Sequence, residues 1–91
     1  MEAVHLRISG RVQGVGYRAW AVRTAARLGL RGWVRNRADG TVEALIIGDA
    51  RSLSAMVEAC RQGARAATVS DIAISEAEED GSSDFAARPT A

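Results

Sequence analysis

Ninety-one residues make one small domain, residues 1–91, with a single core and no room for a second, substrate-binding domain. A hydrophobic share of 47% with 25% charged residues describes a soluble globular chain, and 4% aromatics argues against a surface on which bases stack. The net charge of +1 hides an asymmetry: residues 1–65 hold eleven arginines and five acids, residues 66–91 one arginine and six acids, and lysine is absent.

That asymmetry reads either as a solvated basic face beside an acidic loop or as a field that steers an anion toward the N-terminal half. No apolar run approaches the roughly 20 residues of a membrane span, and no signal-peptide pattern opens the chain. The lone Cys60 has no disulfide partner and falls within a helical pattern, as a small core residue does. A reducing, cytoplasmic setting is therefore expected. One cysteine and one histidine do not make a metal-ligand cluster, so no metal and no cofactor are expected.

In chain order, Val4, Leu6 and Ile8 alternate with His5, Arg7 and Ser9, which is a half-buried strand. Gly10 to Gly16 is a glycine-rich bend. Ala21, Ala25 and Leu28 then recur at helical spacing over Tyr17–Leu28, and Gly29 is a helix stop. Leu30–Arg37 reads as a second strand, Asp39-Gly40 as a hairpin turn, and Thr41–Ile47 as a third strand. Leu53, Met56, Val57 and Cys60 stripe a second helix over Arg51–Gln62, closed by Gly63. Val69, Ile72 and Ile74 mark a fourth strand. Glu76–Asp84 is an acidic exposed turn, and Phe85–Arg88 is a candidate fifth edge strand. The β-α-β-β-α-β order gives an α+β, ferredoxin-like two-layer sandwich with a mostly antiparallel sheet, a fold that hosts many functions.

The informative stretch is Gly10-Arg-Val-Gln-Gly-Val-Gly-Tyr-Arg18. A strand that bends through glycines into a helix exposes backbone N–H groups on one concave side, where the positive end of the helix dipole adds to them. Arg18 supplies a planar fork for a phosphate or carboxylate. As a cation in a first helical turn it opposes the dipole, which makes sense if an anion sits between. The alternative is a plain strand-to-helix turn in which glycines supply positive φ angles. No Gly-Lys-Ser/Thr follows, so this is not a P-loop, and a third glycine in dinucleotide-fingerprint spacing is missing. Arg11 and Arg23 read as solvent-facing.

Asn36, at the end of Gly32-Trp-Val-Arg-Asn-Arg37, has two readings: it opens the hairpin turn, or its amide orients a water. Trp33 and Val34 read as packing residues. His5 is a sheet-face histidine, and neither a Ser-His-Asp nor a Cys-His set can be assembled. A phosphate cradle with an arginine but no nucleophile, metal or acid/base pair suits phosphoryl transfer by positioning and charge stabilisation. That requires a leaving group that departs unaided. A carboxylate, whose conjugate acid has a pKa on the order of ten units below that of water, qualifies. Mixed carboxylic–phosphoric anhydrides fit; ordinary phosphate esters do not.

Gly10 to Arg18 and Gly32 to Asn36, followed by Asp39-Gly40-Thr41-Val42-Glu43, together closely resemble the acylphosphatase family. Its signature is Gly-x-Val-Gln-Gly-Val-x-Phe/Tyr-Arg with a downstream Gly-Trp-Val-x-Asn. The resemblance covers most of residues 4–75. It implies a ferredoxin-like fold and metal-free hydrolysis of small-molecule acyl phosphates. Arg18 matches the family's phosphate-binding arginine and Asn36 the asparagine that positions the attacking water. The amides around Val15, Gly16, Tyr17 and Arg18 match its phosphate-binding loop, and a phosphate oxygen of the substrate is held to help activate the water.

The chain departs from the pattern in three places. Tyr17 stands where Phe is common, a change expected to be tolerated if its hydroxyl reaches solvent. Gly63-Ala64 stands for the usual Gly-Pro, which implies a looser turn. Phe85-Ala86-Ala87-Arg88 is less apolar than the usual last strand. The expected working form is a cytoplasmic monomer with no nucleic acid and no membrane partner. The rival classes are a nucleic-acid-binding module of the same fold, which lacks an aromatic pair and an RNP-type stretch, and a domain that binds acyl or carbamoyl phosphate without turnover.

Overall fold

The computed structural model describes residues 2–91. Its elements are β1 (Glu2–Arg11), α1 (Tyr17–Arg27), β2 (Arg31–Asn36), β3 (Val42–Gly48), α2 (Ala50–Gln62), β4 (Thr68–Glu76) and β5 (Phe85–Arg88). They form one five-stranded sheet in the order β4-β1-β3-β2-β5. Alternation in β1 sends Leu6 and Ile8 to one face, where they join Val34 of β2 and Ala44 and Ile46 of β3. Against that face lie Ala21 and Ala25 of α1 and Leu53, Met56 and Cys60 of α2. Each buried Leu, Ile or Met side chain contributes about 1.5–3 kcal/mol. The two helices cover this face only, so the βαββαβ sandwich is as expected.

The expected strand from Val4 to Ile8 extends further, through Gly10 to Arg11, and the bend begins only after it. There the β1–β4 register shifts at Ser9/Gly10, and a Cβ on Gly10 would lie 2.2 Å from the Thr68 carbonyl oxygen. Only glycine, at φ 123°, lets the two backbones approach so closely. Leu28 caps α1 rather than continuing it.

The sheet is mixed. β1–β3, β1–β4 and β2–β3 are antiparallel, whereas β5 runs parallel to β2, with Gly32 opposite Phe85 and Arg35 opposite Arg88. The reason is the path of the chain. β4 and β5 occupy opposite edges, and the segment between them crosses the sheet at a single end. β5 must therefore restart in the direction opposite to β4, which is that of β2. The acidic crossing segment is tied down by Arg31, whose guanidinium donates to the Ser82 carbonyl and the Glu79 carboxylate, each at 2.7 Å, and by Trp33 Nε1–H donating to Asp80 at 3.1 Å. Although poor in apolar residues, β5 buries Phe85 in the core.

The sheet's second face carries no helix. Trp33, Leu45 and Ile47 form a small apolar cluster there, so Trp33 packs on this face while Val34 packs in the main core. Beside the cluster, Glu43 accepts from Arg35 Nε at 2.7 Å and from Arg37 at 3.2 Å, and His5 Nε2 lies 2.5 Å from its other oxygen. His5 is thus a sheet-face residue engaged with Glu43. Burial opposes ionisation of Glu43, but the hydrogen bonds from His5 and Arg35 and the Arg35 charge outweigh it and hold the carboxyl at about 2. The guanidinium groups of Arg35 and Arg88 lie 4.7 and 5.0 Å from the Trp33 ring centroid.

Candidate active site

The connections fix which groups meet at the end of the sheet away from the acidic crossing. β1 ends there, α1 begins there, and β2, β5 and α2 end there. Between β1 and α1 the backbone turns through Gly14 (φ 71°) and Gly16 (φ 78°), both in the left-handed region. Gly16 is the N-cap of α1, and the Trp20 N–H bonds its carbonyl at 3.0 Å. No side chain caps this helix, and no acid lies in its first turn. The N–H groups of Tyr17, Arg18 and Ala19 therefore have no acceptor among the described residues, and they share the positive end of the helix. By contrast, the N-cap Asp49 of α2 accepts from the Ser52 N–H at 2.8 Å.

Val12, Gly14, Gly16, Arg18 and Asn36 line one concavity of about 200 Å³. The structure thus brings Arg18, Asn36, Gly16 and Tyr17 to one hollow, with Val15 half-buried on the connecting turn. Asn36 reaches it because alternation along β2 places it on the same face as the buried Val34, two residues before it. Two larger hollows, of about 380 and 550 Å³, surround Glu2 and Val4. Glu58 lines the first, and Glu76, Glu78 and Glu79 the second. Neither contains an arginine, so both repel an anion; the smaller hollow is the one with anion-binding chemistry.

Arg18 makes no ion pair among the described residues; its guanidinium donates to the Arg88 carbonyl at 3.3 Å. That contact was not legible from the sequence, because nothing local signals that β5 lies beside the helix mouth. The Asn36 backbone carbonyl accepts from the Ala91 N–H at 3.1 Å, which ties the end of β2 to the C-terminal residues. Gln13 braces the bend. Its side-chain N–H groups donate to the carbonyls of Arg37 (2.8 Å) and Thr41 (2.9 Å), tying the glycine bend to the β2–β3 hairpin. The hairpin turn itself is closed by Asp39, which accepts from the Thr41 N–H and hydroxyl.

The Tyr17 side chain does not meet the condition of a solvent-facing hydroxyl. Its hydroxyl does not reach solvent: the residue is 1% exposed, and the hydroxyl donates to the Cys60 carbonyl at 2.8 Å. Arg11 and Arg23 are exposed, as expected. No group of three or more His, Cys, Asp or Glu side chains suited to a metal ion gathers among the described residues.

A sequence model of the acylphosphatase family matches residues 4–87. The chain is 53% identical over 90 residues to an acylphosphatase of Acidiphilium cryptum, covering 99% of both chains. It is 57% identical over 74 residues to one of Rhodospirillum rubrum, covering 81% of each. The crystal structure of an acylphosphatase from Bacillus subtilis superposes with a TM-score of 0.93 at 37% identity, over 97% of this chain and 99% of that one.

Proposed function

Because the chain belongs to the acylphosphatase family, whose members hydrolyse acyl phosphates, we propose that it does so through the hollow between the glycine bend and Asn36. The observation that carries this assignment is the uncapped N-terminus of α1, with Arg18 beside it and Asn36 on the same concave surface. The phosphoryl group of a small-molecule acyl phosphate sits on the amides of Val15, Gly16, Tyr17 and Arg18. The Arg18 guanidinium binds its oxygens, leaving the Arg88 carbonyl to do so. These donors are preorganised for the charge that spreads over the equatorial oxygens during transfer.

The Asn36 amide accepts from and orients a water on the side of phosphorus opposite the acyl oxygen. Attack forms the new P–O bond as the P–O bond to the acyl group breaks, and the carboxylate leaves without needing a proton. The water's proton passes to a phosphate oxygen, which accounts for a site built without a general base. No step calls for a metal ion. In the same reading the protein works as a cytoplasmic monomer, without nucleic acid or membrane; among the described residues no helix is long and apolar enough to cross one.

The test is benzoyl phosphate hydrolysis with EDTA present, by the wild-type chain and by Arg18→Ala and Asn36→Ala. Activity that survives EDTA and falls by about 10²–10³ in each variant supports the mechanism. Full activity in either variant removes that residue from it. Tight binding of the substrate by a folded wild-type chain, with no turnover, makes the domain a binding module.

A further inference from the structure

The cradle proposed above has a weakness. A helix N-terminus with no capping side chain and two left-handed glycines before it has little local reason to hold one orientation while no anion is bound. Something outside the loop must hold it. Tyr17, the first residue of α1, is anchored from three sides. Its ring is buried, and its centroid lies 5.2 Å from that of Trp20 on the same helix. Its ring edge rests on Gly63, where a Cβ would come within 2.7 Å of Cε2. Its hydroxyl donates to the carbonyl of Cys60, in the last turn of α2. That carbonyl belongs to the helix end that lacks intrahelical donors.

We propose that Tyr17 is a positioning residue for the phosphate cradle: its hydroxyl, bonded to the Cys60 carbonyl, latches the start of α1 to the end of α2 and holds the loop amides in place before the anion arrives. One hydrogen bond satisfies the open end of α2 and fixes the open start of α1. The hydroxyl remains a neutral donor throughout, because burial and the neighbouring Cys60 thiol push the phenol well above its ordinary value. Burial likewise raises the Cys60 thiol to about 11. Gly63, itself at φ 71°, leaves the space the ring occupies. The inference rests on the cradle being the phosphate site, and the experiment separates the two claims.

Tyr17→Phe keeps the ring and removes only the latch. The readouts are the inhibition constant of inorganic phosphate, KM and kcat for benzoyl phosphate, and the thermal midpoint, for wild type, Tyr17→Phe, Arg18→Ala and Ile47→Val. Ile47 packs on the far face of the sheet and controls for lost stability alone. In Tyr17→Phe the phosphate inhibition constant and KM are expected to rise together by about three- to tenfold, the equivalent of one hydrogen bond, with kcat changed less. Ile47→Val lowers the midpoint and leaves both constants alone. Gly63→Ala pushes on the same ring and is expected to raise the phosphate constant too, and it decides the matter if Tyr17→Phe does not fold. A Tyr17→Phe chain with a lower midpoint but wild-type constants overturns the latch while leaving the cradle intact. An unchanged phosphate constant in Arg18→Ala overturns the cradle, and the latch with it.

Discussion

The two faces of this sheet use arginine in opposite ways. On the outer face, Arg35 and Arg37 converge on Glu43, with His5 at its other oxygen, and the Glu43 side chain is 10% exposed. At the helix mouth, Arg18 lies beside the open N-terminus of α1, and among the described residues its guanidinium hydrogen-bonds only a neutral carbonyl, at 3.3 Å. In the first cluster the one carboxylate meets two guanidinium groups within the protein, so much of the field closes on itself and its product is stability. In the second, cation and amide dipoles of one sign are gathered with no anion to meet them among the described residues. That arrangement costs stability, and in the proposed function an anion arriving from outside offsets the cost. Arginine content alone does not separate the two; the partner does.

The sharpest way to break this contrast is Arg18→Ala. It is expected to cost about 3–4 kcal/mol of transition-state stabilisation while the thermal midpoint holds or rises, since an unfavourable charge has been removed. Parallel kinetics and melting curves check it, and a large fall in the midpoint would make Arg18 structural after all. Glu43→Gln tests the other side. It should lower stability by about 2 kcal/mol at neutral pH and leave kcat/KM of the folded enzyme nearly unchanged.

Its pH dependence has a defined sign. The folded carboxyl sits at about 2, below its ordinary 4.5. Its contribution is therefore complete above about 4.5 and disappears as pH falls through 2. Denaturant titrations from pH 6 to pH 2 should show the wild type and Glu43→Gln converging. Next, Gln13→Ala removes both bonds between the bend and the hairpin. It is expected to cost about 1–2 kcal/mol and to raise KM more than it lowers kcat, which urea unfolding and steady-state kinetics would resolve. The smallest effect belongs to Gly16→Ala. A Cβ there meets nothing within 4 Å, so the cost is the left-handed backbone alone, about 1 kcal/mol, read as a small midpoint shift.

Much of the candidate site is legible because its signals are local. Glycines that must take positive φ, and an arginine placed against a helix dipole, declare themselves within nine residues. Asn36 was not separable from a turn residue by composition; the hollow it shares with Arg18 depends on two segments meeting. Gln13 gives no local sign of its partners for the same reason, since its amide points at carbonyls of Arg37 and Thr41, more than twenty residues away. Tyr17 could not reveal its partner, because a buried hydroxyl and an exposed one look the same in a sequence.

From the residues alone the order of elements and their apolar faces could be read, along with the expectation that the bend seats an anion, because periodicity, glycine stereochemistry and helix-end charge act over a few residues. Packing settled the rest. It set β5 parallel to β2, gave Arg18 the Arg88 carbonyl, closed Glu43 among His5, Arg35 and Arg37, and latched Tyr17 to Cys60. Each of these depends on register and strand order, which are fixed by how the whole chain packs its core.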